Sequence, residues 1–199
     1  MNYLAHAYLS FREPDVLAGN MISDFVKGKK KLDYPPGVQV GIQLHRYIDH
    51  FTDNHASTKN IASIFRPYYR LYSGAFADVV YDHFLANDRS EMTTDELESF
   101  SRWVYSTIDP YLPQLPSTFQ QMFPYMKSQN WLYNYRLETG MANSFAGLVR
   151  RAKFIHESET AFNLFLQHYK LIEENYQHFI PEIKTFAYST MKKLQQQSS

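Results

Sequence analysis

Gly41-Ile-Gln-Leu-His45-Arg46-Tyr-Ile-Asp49-His50-Phe-Thr-Asp53-Asn-His55 is where this sequence declares its architecture. Three histidines and two aspartates fall within eleven residues of a segment that otherwise reads as amphipathic helix. An α-helix advances about 100° per residue, so His45, Asp49 and Asp53 drift slowly along one face. Ile42, Ile48 and Phe51 lie off that line and supply a core contact. An imidazole with carboxylates one and two turns away can hold a divalent metal if other segments complete the shell. The plainer alternative is a solvated face carrying a His–Asp hydrogen bond.

Outward from this helix, the composition narrows the field. The 199 residues contain sixteen Tyr and fifteen Phe but only seven Gly and nine Pro, which suits a helical domain with a ring-filled core rather than a turn-rich β fold. There is no cysteine, so disulfides, zinc–thiolate sites, iron–sulfur clusters and cysteine nucleophiles are excluded. Imidazole and carboxylate ligands remain, and these favour Mn, Fe, Mg or a His/Asp zinc site. No apolar run is long enough for a membrane span, and no basic-then-apolar leader pattern opens the chain. A soluble cytoplasmic protein with no membrane partner is expected. The expected organisation is one helical hydrolase domain over residues 1–194, with a disordered tail over 195–199.

Formal net charge is zero, which gives no global field for nucleic acid. Between Val26 and Tyr72, however, eight Lys/Arg face three acids, a local charge of +5. Lys27, Lys29, Lys30 and Lys31 fall in an apparent loop before Pro35-Pro36-Gly37, and Arg46 follows His45 directly. A basic belt around a candidate metal site suits an anionic substrate, although most charge runs are only solvated surface.

Three further segments carry polar chemistry in apolar surroundings. His6 sits inside Asn2-Tyr-Leu-Ala-His6-Ala-Tyr-Leu-Ser-Phe11. Asp24 is expected near the C-terminus of a helix opened by Pro14, where the macrodipole disfavours a carboxylate. Asp82 and His83 adjoin in Phe76-Ala-Asp-Val-Val-Tyr-Asp82-His83-Phe-Leu85. A buried ionised Asp82 needs a partner: a metal, an Arg, a His or a helix N–H. Downstream, Thr93-Thr-Asp-Glu96 reads as a capping box, and a long helical periodicity from Glu159 to about Leu194 is expected to break near Pro181. Five of eight histidines and seven aspartates lie in the first 83 residues, with Glu13 the only glutamate there. Short carboxylates and imidazoles drawn from several helices describe a metal centre in a helical bundle. A metal so held lowers the pKa of bound water and offsets phosphoryl charge. The residues alone therefore predict an all-α, metal-dependent hydrolase of a phosphate ester.

The motifs Asn2-x-Leu-Ala-His6, Gly19-Asn20-x-x-x-Asp24-Phe-Val-x-Gly28, Tyr34-Pro-Pro, Gly41-Ile-x-x-His45-Arg46-x-Ile-Asp49-x-x-Thr52-Asp53-Asn54 and Asp82-His83-Phe-Leu85 together resemble the acyl carrier protein phosphodiesterase family. The resemblance is specific over the N-terminal 85 residues and looser through Trp131-Leu-x-x-Tyr135 and Gly140-Met-Ala-Asn143. It implies a helical bundle like the HD-type phosphohydrolases, Mn²⁺ as cofactor, and hydrolysis of 4′-phosphopantetheine from holo acyl carrier protein. It further implies metal-site roles for Asp24, His45, Asp49 and Asp82, with His6 in the metal set and His83 beside it. Catalytic roles fall to Asp24 and His83, the latter as general acid. Lys27 and Arg46 would balance developing charge, and Lys29, Lys30 and Lys31 would dock the acidic carrier. Asp82-His83 reverses the His-Asp order that names the HD group. Two alternatives stay open at this stage, an HD-like enzyme of a small phosphodiester and a non-catalytic helical module that binds the carrier protein.

Overall fold

The computed structural model describes residues 1–197, and among them there is no strand. The helices are α1 (Tyr3–Tyr8), α2 (Pro14–Ile22), α3 (Pro36–Asn54), α4 (Ala56–Tyr69), α5 (Ser73–Asn87), α6 (Thr94–Ile108), α7 (Ser117–Ser128), α8 (Trp131–Asn134), α9 (Glu138–Arg151), α10 (Glu159–Gln167) and α11 (Tyr169–Gln197). Short 3-10 turns join several of them, including Ser23–Phe25 after α2 and Gly28–Asp33 before α3. The all-α expectation is met.

Local sequence explains most of the boundaries. Pro14 and Pro36 open α2 and α3 in the first turn, where a missing N–H is harmless. Thr93 and Glu96 form the reciprocal capping box at the start of α6. His55 accepts from the Ser57 amide and so caps α4. Two expectations are corrected. The long C-terminal helical pattern breaks at His168 between α10 and α11, while Pro181 is accommodated inside α11. Helix α11 also continues through Gln197, so residues 195–197 of the expected tail are helical; residues 198 and 199 lie outside the described part.

One hydrophobic core runs through the bundle, from Leu4 and Leu17 through Ile48 and Phe65 to Phe179 and Leu194. What positions the polar site is the crossing of α2 and α3. A Cβ on Gly19 would lie 2.0 Å from the Val38 carbonyl oxygen, and one on Gly41 would lie 2.1 Å from that of Val16. Only glycine allows the two backbones to come so close. Helix α1 lies against both α2 and α5, which carries His6 over the same crossing.

Candidate metal centre

His6 from α1 and His45 and Asp49 from α3 each offer one ligand atom, and the three atoms lie within 4.8 Å of one another. The two imidazoles are stacked, with ring centroids 3.8 Å apart and an interplanar angle of 15°. Asp49 faces both rings: its Oδ1 is 3.1 Å from His6 Nε2 and its Oδ2 is 3.1 Å from His45 Nε2. Asp24, in the 3-10 turn after α2, brings Oδ1 to 3.2 Å from the same His45 nitrogen. Both histidines are buried, whereas the Asp24 carboxylate is open to solvent. The cluster thus has a closed floor and an open rim.

Asn20, fully buried on α2, sets both tautomers. Its side-chain amide nitrogen donates to the His6 carbonyl and to Ser10 Oγ, so its Oδ1 is the acceptor. That oxygen lies 2.8 Å from His6 Nδ1, which must therefore carry the proton. The Asn20 backbone carbonyl does the same for His45 Nδ1 at 2.7 Å. His6 Nε2 is left with a lone pair directed at Asp49 Oδ1, while His45 Nε2 faces the carboxylates of Asp24 and Asp49. His6 Nε2 and Asp49 Oδ1 are each buried without a hydrogen-bond partner, despite their 3.1 Å separation. Two acceptors facing each other in a dry site call for a cation between or beside them. The Met1 ammonium, 3.7 Å from Asp49 Oδ1 and 3.0 Å from Asp78 Oδ1, stands beside the carboxylate, and a metal ion would fit between the carboxylate and the imidazole. Hydrogen-bonded imidazoles with fixed Nδ1–H groups are what metal sites use to aim Nε2 at the ion. The donor set therefore fits a divalent metal.

The electrostatics agree. Burial and the neighbouring His45 push His6 down to about 4. Burial would also lower His45, but Asp24 and Asp49 overcome it and lift the group to about 9. Asp49 is opposed by burial yet held far below the usual carboxylate range, chiefly by the two imidazoles. Without a metal, His45 carries the positive charge between the carboxylates and His6 stays neutral.

The remaining predicted site residues divide sharply. Asp82 is fully buried, but its carboxylate does not join the cluster: Oδ2 accepts from the Leu4 amide at 2.8 Å and Oδ1 from the Ala5 amide at 3.1 Å. It caps the N-terminus of α1 from another helix and thereby holds the element that carries His6. The expected metal-ligand role for Asp82 therefore finds a different engagement here: its oxygens accept from the α1 amides, outside the His6–His45–Asp49 group. His83, one position on, points into an aromatic box of Phe84, Phe165 and Tyr169. Its Nδ1 donates to the Tyr135 carbonyl and its Nε2 accepts from the Tyr169 hydroxyl, so neither nitrogen is free to act as a general acid. Adjacent helix positions diverge by about 100°, which is why the pair serves two unrelated places.

Lys27, Lys29 and Lys30 are exposed and Lys31 is half-buried; none forms an ion pair among the described residues. The last three lie in the 3-10 turn Gly28–Asp33. Arg46 donates to the Val26 carbonyl at 2.8 Å, tying that turn region to α3. Asn20 is the residue that reading for chemistry overlooked. Its signal was an amide in the otherwise apolar run Val16–Ile22.

The family model for acyl carrier protein phosphodiesterase matches residues 1–183. The chain belongs to the acyl carrier protein phosphodiesterase family. It is 33% identical to the acyl carrier protein phosphodiesterase of Yersinia pestis over 182 residues, covering 91% of this chain and 94% of that one. It is 32% identical to that of Klebsiella pneumoniae subsp. pneumoniae over 94% of this chain and 97% of the relative. The Salmonella paratyphi A protein of the same name is also 32% identical, over 92% and 95%. No solved structure matches the chain. No helix among the described residues is long and apolar enough to cross a membrane.

Proposed function

We propose that this protein hydrolyses the phosphodiester joining 4′-phosphopantetheine to the serine of holo acyl carrier protein, using a divalent metal, Mn²⁺, held by His6, His45, Asp49 and Asp24. The observation that carries the reading is the pair of opposed acceptors, His6 Nε2 and Asp49 Oδ1, in a chain of this family. When bound, the metal supplies an acidified water and neutralises charge on the phosphoryl oxygens.

The protein's own groups do the rest. Asn20 holds both imidazoles in the tautomer that presents Nε2. Asp49 supplies fixed negative charge at the floor. Asp24, exposed beside His45, accepts the proton of the attacking water as oxygen bonds to phosphorus. The bond from phosphorus to the serine oxygen breaks, and the proton taken up by Asp24 passes, through solvent at the open rim, to that oxygen. Lys27 and Arg46, exposed and close in sequence to Asp24 and His45, are our candidates to offset the charge that develops on phosphate. Lys29, Lys30 and Lys31 extend the basic surface toward an acidic carrier. A formal net charge of zero supports a protein partner rather than nucleic acid. We take the protein to act in the cytoplasm with its carrier, and we take its relation to the HD-type phosphohydrolases from the family resemblance.

Intact-mass analysis of holo acyl carrier protein incubated with this protein and Mn²⁺ tests the reading. The apo carrier mass should appear, and EDTA should suppress it. An unchanged holo mass in Mn²⁺, Mg²⁺ and Fe²⁺ alike would overturn it.

A further inference from the structure

A cavity of about 550 Å³ opens between the start of α1, helix α8 and one face of α9. Its size falls in the range of about 300–1,000 Å³ usual for small-molecule sites. Among the residues around it are Tyr3, Trp131, Asn143, Gly147, Arg150 and Arg151, and no acid lines it. On α9, positions 140, 143, 147 and 150 share a face by helical spacing. That face carries Gly140, Asn143, Gly147 and Arg150 where a helix lining an interior would ordinarily carry apolar side chains.

Three features make this a built site rather than a packing gap. The side chains of Asn143, Arg150 and Arg151, all exposed, make no hydrogen bond or ion pair within the described protein, although all three line the cavity. Gly147 sits mid-helix without a positive φ, where glycine is less favourable than alanine. A Cβ there would meet only the Arg150 and Arg151 guanidinium nitrogens, at 3.6 and 3.8 Å. A methyl there would make ordinary contact beneath the two guanidinium groups, whereas a larger side chain would fill the floor. Third, the cavity reaches toward the metal cluster: Asn2, on the cavity wall, follows Met1, whose ammonium lies 3.7 Å from Asp49 Oδ1.

We propose that this cavity seats the 4′-phosphopantetheine arm, with Arg150 and Arg151 holding its phosphate and Asn143 and Trp131 meeting the amide-bearing chain. The chemistry matches at both ends. A phosphate suits paired guanidinium forks, and a neutral chain of amides and hydroxyls suits an uncharged polar wall with an indole face. The assignment rests on the proposed reaction for the identity of the arm, and it makes these four residues determinants of specificity.

Calorimetry in EDTA, which removes any metal contribution to phosphate binding, provides the test. Wild-type protein should bind 4′-phosphopantetheine more tightly than pantetheine. Arg150→Gln/Arg151→Gln should weaken 4′-phosphopantetheine about tenfold or more and leave pantetheine alone, because charge-assisted hydrogen bonds to phosphate are lost. Gly147→Leu should weaken both by filling the floor, and Asn143→Leu should weaken both as well. The arginines are exposed, so thermal melts should match wild type. Equal affinity of the double variant and wild type for 4′-phosphopantetheine, or no binding by wild type, overturns the proposal. If binding behaves as expected while holo carrier protein is not cleaved, the proposed reaction fails and the cavity assignment stands. If the carrier is cleaved with unaltered KM in all these variants, the cavity assignment alone fails.

Discussion

Gly19 and Gly41 meet backbone to backbone where α2 crosses α3; a methyl group on Gly41 would lie 2.9 Å from Gly19 Cα and 2.1 Å from the Val16 carbonyl. That approach lets the Asn20 carbonyl reach His45 Nδ1 at 2.7 Å. Gly41→Ala should therefore force the helices apart. The obstacle is backbone, so destabilisation should reach the upper end of the overpacking range, about 3 kcal/mol or more. Chemical denaturation measures it, and a midpoint equal to wild type would mean that the crossing is looser than described.

Asn20→Leu removes the acceptor for His6 Nδ1 and the donor to the His6 carbonyl together. Outer partners of this kind are worth about 10–100-fold in metal affinity. Mn²⁺ titration by calorimetry on the folded variant should show a loss of that size. Unchanged affinity would exclude His6 as a ligand aimed by Asn20.

Asp82 should betray its capping role through pH. Burial, opposed by the Leu4 and Ala5 amides, raises its pKa to about 7 from an ordinary 3.8. A carboxyl raised in the folded state contributes fully below its unfolded pKa, and that contribution is lost as pH rises through the folded value. Wild-type stability should thus carry a falling component between about pH 4 and 7 that Asp82→Asn lacks. Parallel stability–pH curves for the two proteins would refute this. Asp82→Ala should cost about 1–3 kcal/mol, having stranded two buried amides.

His83→Phe distinguishes the aromatic box from a general-acid role. A general acid contributes about 10²–10⁴-fold to turnover, whereas a histidine bonded to Tyr135 and Tyr169 contributes to packing. The variant should melt at lower temperature and keep kcat on holo carrier protein within a small factor. A fall in kcat of the general-acid size in a well-folded variant would restore the catalytic role.

Replacing Lys29, Lys30 and Lys31 by glutamate should raise KM for holo carrier protein and spare kcat, since rim charges act on encounter and docking. Added salt should mimic the change, the Debye length falling from about 10 Å at 0.1 M to about 3 Å at 1 M. Equal KM values for variant and wild type at low salt would leave these lysines as surface only.

Residue type and helical spacing were enough to read the all-α class, the capping box at Thr93, and the His45–Asp49 pair. Each of these depends on groups one turn apart, whose relative position any helix dictates. His6 and Asp24 could be nominated from their surroundings, but nothing local says that α1 and the turn after α2 meet α3 at one point. Asp82 and His83 show the limit most clearly. The sequence marked both as charged groups in an apolar helix that must find partners, and left open whether Asp82 would find a metal or a helix N–H. Only the packing of α1 against α5 decided for the amides, and only the approach of α10 and α11 enclosed His83 in rings. Asn20 was legible as a buried amide but not as the group that sets two tautomers, because that role needs α1, α2 and α3 together. Helical periodicity says which side chains turn inward; it takes the crossing of Gly19 over Gly41 to say what they meet there.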